Sequence, residues 1–406
     1  MISRILAYIK QFDSNVWALS FGWFVSGLGF AASMPFVAIY FHSHFEMSMT
    51  DIGIFFGIMA LVRSGFQLVG GEVSDRMQRK TLLVVAQLFR GLAFGMLAIT
   101  IYFDLGFWAV SVSMLMATIF GVLFHPAANA MVSDILPKDK RLDGYALTRA
   151  AGNLGWAGGG AIGGFLAATS YGLLFMISAG VTVVSGLVFW LLMNVGPTPN
   201  TNDRFKLADI VAIKDDPMLA KHGILTFLLY LVVAQMIVPF SVYSVEVMDI
   251  TKTELGWLYT MNGLLVVALQ IPITRLCKRF SLSSQLALGA FVYAIGYSVV
   301  GLSSGFGFLM IAIYIISMGE MTMSPPSLTL TSQLAPKNRM GRYMGIYGFF
   351  VGSGWSFGPL FGGMLLDRFA GNPTLAWVLI ASLAVVSGAG YMMFRKQFAE
   401  RLRSVT

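Results

Sequence analysis

Five ionisable residues stand inside stretches that are otherwise apolar. They are Arg63 (MALVRSGFQ), Arg90 (QLFRGLAF), Arg149 (YALTRAAGNLGW), His125 next to Pro126, and Glu320 in MIAIYIISMGEMTMSPPSLTL. Such groups are costly in an apolar medium, so by default they mark a path for ligand, ion or proton. A guanidinium stays charged and needs a carboxylate, carbonyls, water or an anionic ligand. A carboxyl group behaves differently, because desolvation favours its neutral form. Glu320 is then neutral when shielded and charged when wet, the property that proton coupling demands. No basic residue lies between Arg279 and Lys337, so its partner is a proton or a distant arginine such as Arg63 or Arg90. For those two arginines a substrate role and a helix–helix bridge both remain open; Arg149, nearer a span end, is placed to snorkel. His125 titrates near neutrality when unperturbed, although a lone helical histidine is commonly a plain hydrogen-bonding residue. Gln67, Asn153, Tyr230 and Gln235 are candidate walls of a substrate cavity, and the 25 methionines supply adaptable apolar surface.

The elements that carry these residues follow from composition. Of 406 residues, 57% are hydrophobic and 11% charged, where a soluble domain has about 25% charged. Twelve apolar runs reach the ~20 residues that a spanning helix needs, at 15–41, 51–74, 81–103, 107–134, 143–168, 171–195, 219–245, 254–274, 283–303, 306–334, 342–366 and 374–394. Helices are required, since open strands leave backbone groups unsatisfied in lipid. With the N-terminus inside, 22 Lys and Arg fall on inner segments and only Lys252 and Arg368 outside. This positive-inside bias predicts cytoplasmic termini, and it assigns the net charge of +8 to topology rather than to nucleic acid. The one cysteine, Cys277, excludes an internal disulfide.

The polar stretch 196–217 divides the chain into two groups of six spans. A shift of 199 superposes them: Pro126 on Pro325, Gly155-Trp156 on Gly354-Trp355, Gly159 on Gly358, Gly163-Gly164 on Gly362-Gly363, Arg76 on Arg275. Gly53 meets Gly256 only at 203, so the eighth span is one turn shorter than the second. Under the same shift Glu320 falls on Gly121, so the fold itself does not demand a carboxylate there. Repeats of six spans share one orientation, which relates the halves by an axis along the membrane normal.

Two motifs carry a family resemblance. In GGEVSDRMQRK, residues Gly71, Asp75, Arg76, Arg79 and Lys80 match the signature loop between the second and third helices of the major facilitator superfamily; Gln78 stands where glycine is usual. The resemblance implies that Asp75 and its basic neighbours hold the cytoplasmic side shut. In GSGWSFGPLFGG, residues Gly354, Gly358, Pro359, Gly362 and Gly363 resemble the glycine-rich motif that drug:proton antiporters of this superfamily carry in their fifth helix. Here the full motif stands in the eleventh span, while the fifth has Gly155, Gly159, Gly163 and Gly164 with Gly160 in place of the proline. Those antiporters also place a functional acid on the tenth helix in a context similar to Gly319-Glu320 and Ser324-Pro325.

The sequence is thus identified as a member of the major facilitator superfamily, resembling its twelve-helix drug:proton antiporter branch. The expected fold is all-α and integral to the membrane: a six-helix bundle over 1–195, a cytoplasmic linker over 196–217, and a second six-helix bundle over 218–406. The expected function is proton-coupled export of small amphipathic compounds by alternating access, in the plasma membrane (the inner one in a Gram-negative cell), as a monomer. The alternatives are a transporter of an anionic metabolite held by the intramembrane arginines, and a non-transporting membrane receptor. No nucleotide-binding loop, nucleophile or metal cluster is legible, so neither an enzyme nor a cofactor is expected.

Overall fold

A computed structural model describes residues 12–136, 141–193, 216–335 and 340–405, without the side chains of part of α2 and of short stretches in α4, α5 and α11. The linker expected over 196–217 therefore lies almost wholly outside the described residues. Among those described, the regular structure is helical throughout. The helices are α1 (Ser14–Phe45), α2 (Met49–Arg76), α3 (Arg79–Tyr102), α4 (Phe107–Ile135), α5 (Arg141–Thr169) and α6 (Tyr171–Leu192). They continue with α7 (Pro217–Val247), α8 (Lys252–Cys277), α9 (Leu282–Gly301), α10 (Phe306–Leu334), α11 (Met340–Arg368), α12 (Pro373–Met393) and a terminal α13 (Arg395–Val405). Among the described residues, ten are long and apolar enough, by length and composition, to cross a membrane. The expected spans at 51–74 and 143–168 correspond to α2 and α5, which stand outside that set despite 28 and 29 residues; α2 carries Asp51 and Arg63, and α5 carries Arg149 and a run of glycines.

Local chemistry explains the helix ends. Asp216 caps α7, accepting from the backbone N–H of Met218 and Leu219, with Pro217 in the first turn. Thr251 and Glu254 close a reciprocal capping box on α8. Gly106 and Gly305 precede α4 and α10 with φ of 83° and 150°, a region side chains avoid; they differ in number by the repeat shift of 199. Glu46 (φ 52°) and Asp249 (φ 56°) occupy the left-handed region in the α1–α2 and α7–α8 loops, and these differ by 203. Backbone geometry thus carries the same two offsets as the sequence, with the lost turn inside α8. The α7 span is irregular: a 3-10 turn at Ala234–Met236 and a π turn at Tyr243–Val247 flank a short helix at Pro239–Val242.

Two compact units emerge. One comprises the described residues of Met1–Phe36, Leu61–Asp203 and Leu255–Gly263; the other those of Val37–Ala60, Arg204–Glu254 and Leu264–Thr406. In the first, α3 packs most extensively on α6 and α4, over a core that includes Val16, Leu19, Leu83, Phe124, Met131 and Phe189. In the second, α9 packs on α10 and α12 in the same pattern. Its centre is aromatic: Tyr293 stacks on Tyr297 (6.2 Å), Tyr297 on Trp377 (5.7 Å), and Tyr243 meets Trp377 edge-on (5.3 Å). Large apolar side chains such as Leu92, Trp190, Ile295 and Met393 are exposed, a surface suited to lipid and unfavourable in water.

Candidate functional site

The first unit holds three of the sequence-predicted groups together. Arg90 on α3 is 7% exposed. One of its terminal nitrogens donates to Ser26 Oγ (3.3 Å), and its guanidinium lies 5.4 Å from the Phe94 ring centre. It lies across α4 at Gly121, where a Cβ would come 3.0 Å from Arg90 Nε and push the side chain aside. Arg63 on α2 sits 5.9 Å from the Phe30 ring centre. It is enclosed by neighbouring protein yet keeps exposed surface, so it borders an open space. The two arginines act electrostatically on each other, and both act on His125, whose ring packs on Trp23 at 4.9 Å. His125 is thereby grouped with cations. Arg149 is exposed and Asn153 half-buried, both on α5.

The second unit holds Glu320, half-buried on α10. Its charge reaches Tyr293 of α9, which Tyr230 and Tyr297 also approach. Gly319 makes this possible, since a Cβ there would stand 2.9 Å from the Tyr293 ring. Gln235, expected on a cavity wall, takes a different place. It is fully buried, donating its amide to Leu231 O (2.6 Å) and Gly358 O (2.8 Å), and so ties α7 to α11. The irregular turn at Ala234–Met236 directs that side chain inward.

The glycine motifs are bifacial. On α5, Gly155, Gly159 and Gly163 meet the α1 backbone at Phe24, Leu28 and Ala32. On α11, Gly354, Gly358 and Gly362 meet α7 at Phe227, Leu231 and Gln235. Spacing of four on both partners is ridge-into-groove packing with backbones close together. The other face serves a second helix. In the first unit Gly256 of α8 meets Gly160 and Gly164, and Thr260 Oγ donates to Ala157 O (2.8 Å). In the second, Gly53 of α2 meets Pro359 and Leu360, and Gly363 meets Met49. These interfaces are repeat-related. A side chain at 160 would strike the Tyr259 Cβ at 2.7 Å, so proline fits the motif in α11 but not in α5.

The signature loop is partly described. Gly71, Asp75 and Arg76 lie in α2 and Gln67 in the same helix, their side chains outside the described residues. Arg79, buried, and Lys80, half-buried, open α3. Gln78 has φ −59° and ψ 118°, an ordinary conformation, so this turn does not require the glycine that the family pattern has there.

Three features escaped the sequence reading. Asp367 at the end of α11 accepts from the backbone N–H of Met49 (3.2 Å) and Thr50 (2.6 Å), capping α2 from another helix. Asp216, besides capping α7, accepts from Tyr343 OH (2.7 Å) and Arg401 (3.0 Å), joining α7, α11 and α13. Burial raises the Asp216 carboxyl, but these hydrogen bonds, the Leu219 N–H and the Arg401 charge outweigh it and hold the group below its ordinary value. His222 is wholly buried, bonded to Tyr391 OH (2.9 Å) and Thr331 Oγ1 (3.0 Å) and stacked on Tyr347. The Asp-Pro pair before α7 was a legible cap signal; Asp367 and His222 gave none, because their partners lie 317 and 169 positions away.

A family model described as Major Facilitator Superfamily matches residues 19–359 and 223–402. The chain belongs to the Major Facilitator Superfamily. It is 26% identical over 364 residues to "Multidrug resistance protein MdtH" of Proteus mirabilis, covering 89% of each chain. It is 27% identical over 391 residues to "Uncharacterized MFS-type transporter YttB" of Bacillus subtilis, covering 93% of this chain and 94% of that one. Among solved structures it resembles a POT family transporter in complex with 5-aminolevulinic acid (TM-score 0.80, 13% identity, 94% and 96% covered) and the nucleoside transporter NupG (TM-score 0.77, 11% identity, 93% and 99% covered). Such structural likeness speaks for the fold alone. This superfamily member is a membrane transporter with apolar helical spans, as its two motifs implied.

Proposed function

We propose that this transporter exports small amphipathic compounds against a proton flux by alternating access. Twelve spans form two six-helix halves, 1–195 and 218–406, joined by a cytoplasmic linker, with both termini cytoplasmic in the plasma membrane. The carrying observation is Glu320. It is a half-buried carboxylate at mid-span, within electrostatic reach of Tyr293, at a position where the first repeat has Gly121. The matching position of the first repeat is glycine and an apolar helix disfavours a carboxylate, which favours a role for the charge of Glu320. The relatives named for multidrug resistance support the export reading.

In the proposed cycle Glu320 takes a proton from the outer side and releases it inward as substrate moves out. The two glycine interfaces, α2 on α11 and α5 on α8, act as a repeat-related outer gate; small residues let backbones meet and part without repacking large side chains. Asp367 bolts one of them by capping α2. Asp75 with Arg76, Arg79 and Lys80 sets the balance on the cytoplasmic side. The test is substrate-induced proton movement in proteoliposomes. Wild type is expected to move protons and Glu320→Gln to lose this. Normal coupling in the variant would remove Glu320 from the mechanism, and no flux from wild type with any substrate would favour a receptor.

A further inference from the structure

The first unit gathers cations on stretches of helix that carry no carboxylate of their own. Arg63 and Arg90 sit within electrostatic reach of one another and of His125. No Asp or Glu falls in residues 14–36, 61–71, 79–103, 107–133, 144–193 or 255–263, and the acids of this unit's helices, Glu72, Asp75, Asp134 and Asp143, stand in their end turns. The described contacts of the two arginines are weak ones: a single hydrogen bond to the neutral Ser26 hydroxyl and two aromatic faces, Phe30 and Phe94. Aromatic faces attract a cation without neutralising it. Arg90 Nε is buried without an acceptor. A guanidinium offers five donors and cannot shed its proton, so the cluster is rich in donors and positive charge and poor in acceptors. Like charges repel more strongly beside a buried, low-dielectric interior, and an anion entering from the open side at Arg63 relieves that repulsion.

We propose that Arg63 and Arg90 form the head-group site for substrates that carry one anionic group, a carboxylate, sulfonate or phosphate, on an apolar body. The anion lies between the two guanidinium groups and supplies the missing acceptors. Arg63, with its open surface, is the point of first contact. Trp23 and Phe30, which pack on His125 and Arg63, receive the apolar body. Gly121 bears on the site, since a Cβ there would press on the Arg90 guanidinium at 3.0–3.1 Å and shift it. This inference rests on the transporter reading and names its substrate class.

The experiment is equilibrium binding to the full-length protein in phosphatidylcholine nanodiscs, with no proton gradient. The probes are 1-naphthoate, neutral 1-naphthalenemethanol and cationic 1-naphthylmethylammonium. Naphthoate is expected to bind at least about tenfold tighter than the other two, as charge-assisted hydrogen bonds predict. Arg63→Gln and Arg90→Gln should each weaken naphthoate by about tenfold or more and leave the neutral probe unchanged. Arg63→Lys should recover part of the loss. Gly121→Ala, which keeps both charges but displaces Arg90, should weaken naphthoate as well. If Arg90→Gln does not fold, Arg63→Gln and Gly121→Ala carry the test. A loss of naphthoate affinity on adding phosphatidylglycerol would place a lipid phosphate in the same head-group site. Equal binding of the three probes, preference for the cation, or unchanged affinity in folded arginine variants would overturn the proposal. Binding is read without transport, so a failure of proton coupling in the Glu320 experiment leaves this result standing, and the reverse also holds.

Discussion

At matching places in its two repeats the chain puts opposite charges. In α3 and α4 the cation is Arg90, lying across Gly121. In α9 and α10 the shift of 199 turns Arg90 into Gly289 and Gly121 into Glu320. Gly289 packs against α10 at Gly319 and Met323, closing the space that a large side chain fills in the first unit. The helix pairs are the same, and so is the rule that one member of each pair is glycine. What differs is which helix carries the charge, and its sign. The backbone is therefore the common inheritance of both units, and the charges are particular to each.

The largest expected effect tests the shared part. Gly155→Val and Gly354→Val drive side chains into Phe24 O and into Tyr230 of the partner helices. Overpacking of this kind costs about 1–3 kcal/mol or more, and both variants are expected to lose monodisperse protein on purification. Gly158→Ala faces open space and should hold or raise the melting temperature, since alanine favours a helix by about 0.5–1 kcal/mol. Equal tolerance at 155 and 158 would remove close packing as the motif's role.

Glu320→Gly sharpens the other side of the comparison. It makes the second repeat like the first, so the melting temperature should stay near wild type while substrate-induced proton movement disappears. A collapse in stability would mean that Glu320 holds the fold after all.

A smaller effect is expected at Asp216. Its carboxyl is held below the ordinary range, so the stability it contributes is fully present above about pH 4 and is lost as pH falls through its lower folded value. With Arg401 one-third exposed (33%), the screened pair contributes about 1 kcal/mol. Thermal scans from pH 7 downwards should show Asp216→Asn less stable at neutrality and the two proteins converging in acid. Parallel curves would exclude this ionisation.

The smallest effect is expected at Asp367. Asp367→Ala removes two acceptors from the start of α2, about 1 kcal/mol for a lost cap. In the proposed cycle this raises the outward-open population several-fold, readable as faster thiol labelling of a cysteine placed at Gly57. Unchanged labelling would leave Asp367 a cap and nothing more.

Much of this was legible beforehand. The apolar runs became helices at nearly their expected bounds, and the repeat shift returned in backbone angles at Gly106 and Gly305. Intramembrane charges were legible because an apolar background makes each one conspicuous. Polarity within a span suggests a wall for Gln235, and only the break in α7 turns it inward onto Gly358. The residue type of His125 suggests proton coupling, and its neighbours Arg63 and Arg90, distant in sequence, set it beside two cations.

The sequence by itself determined the helices, the repeat and the family, because these rest on local composition and on spacing along one chain. Tertiary structure alone decided which glycine meets which helix, where Gln235 points, and that two arginines come within electrostatic reach of each other. Those depend on side chains a hundred or more residues apart, or on separate helices, arriving within a few ångströms, and no pattern along the chain encodes that distance.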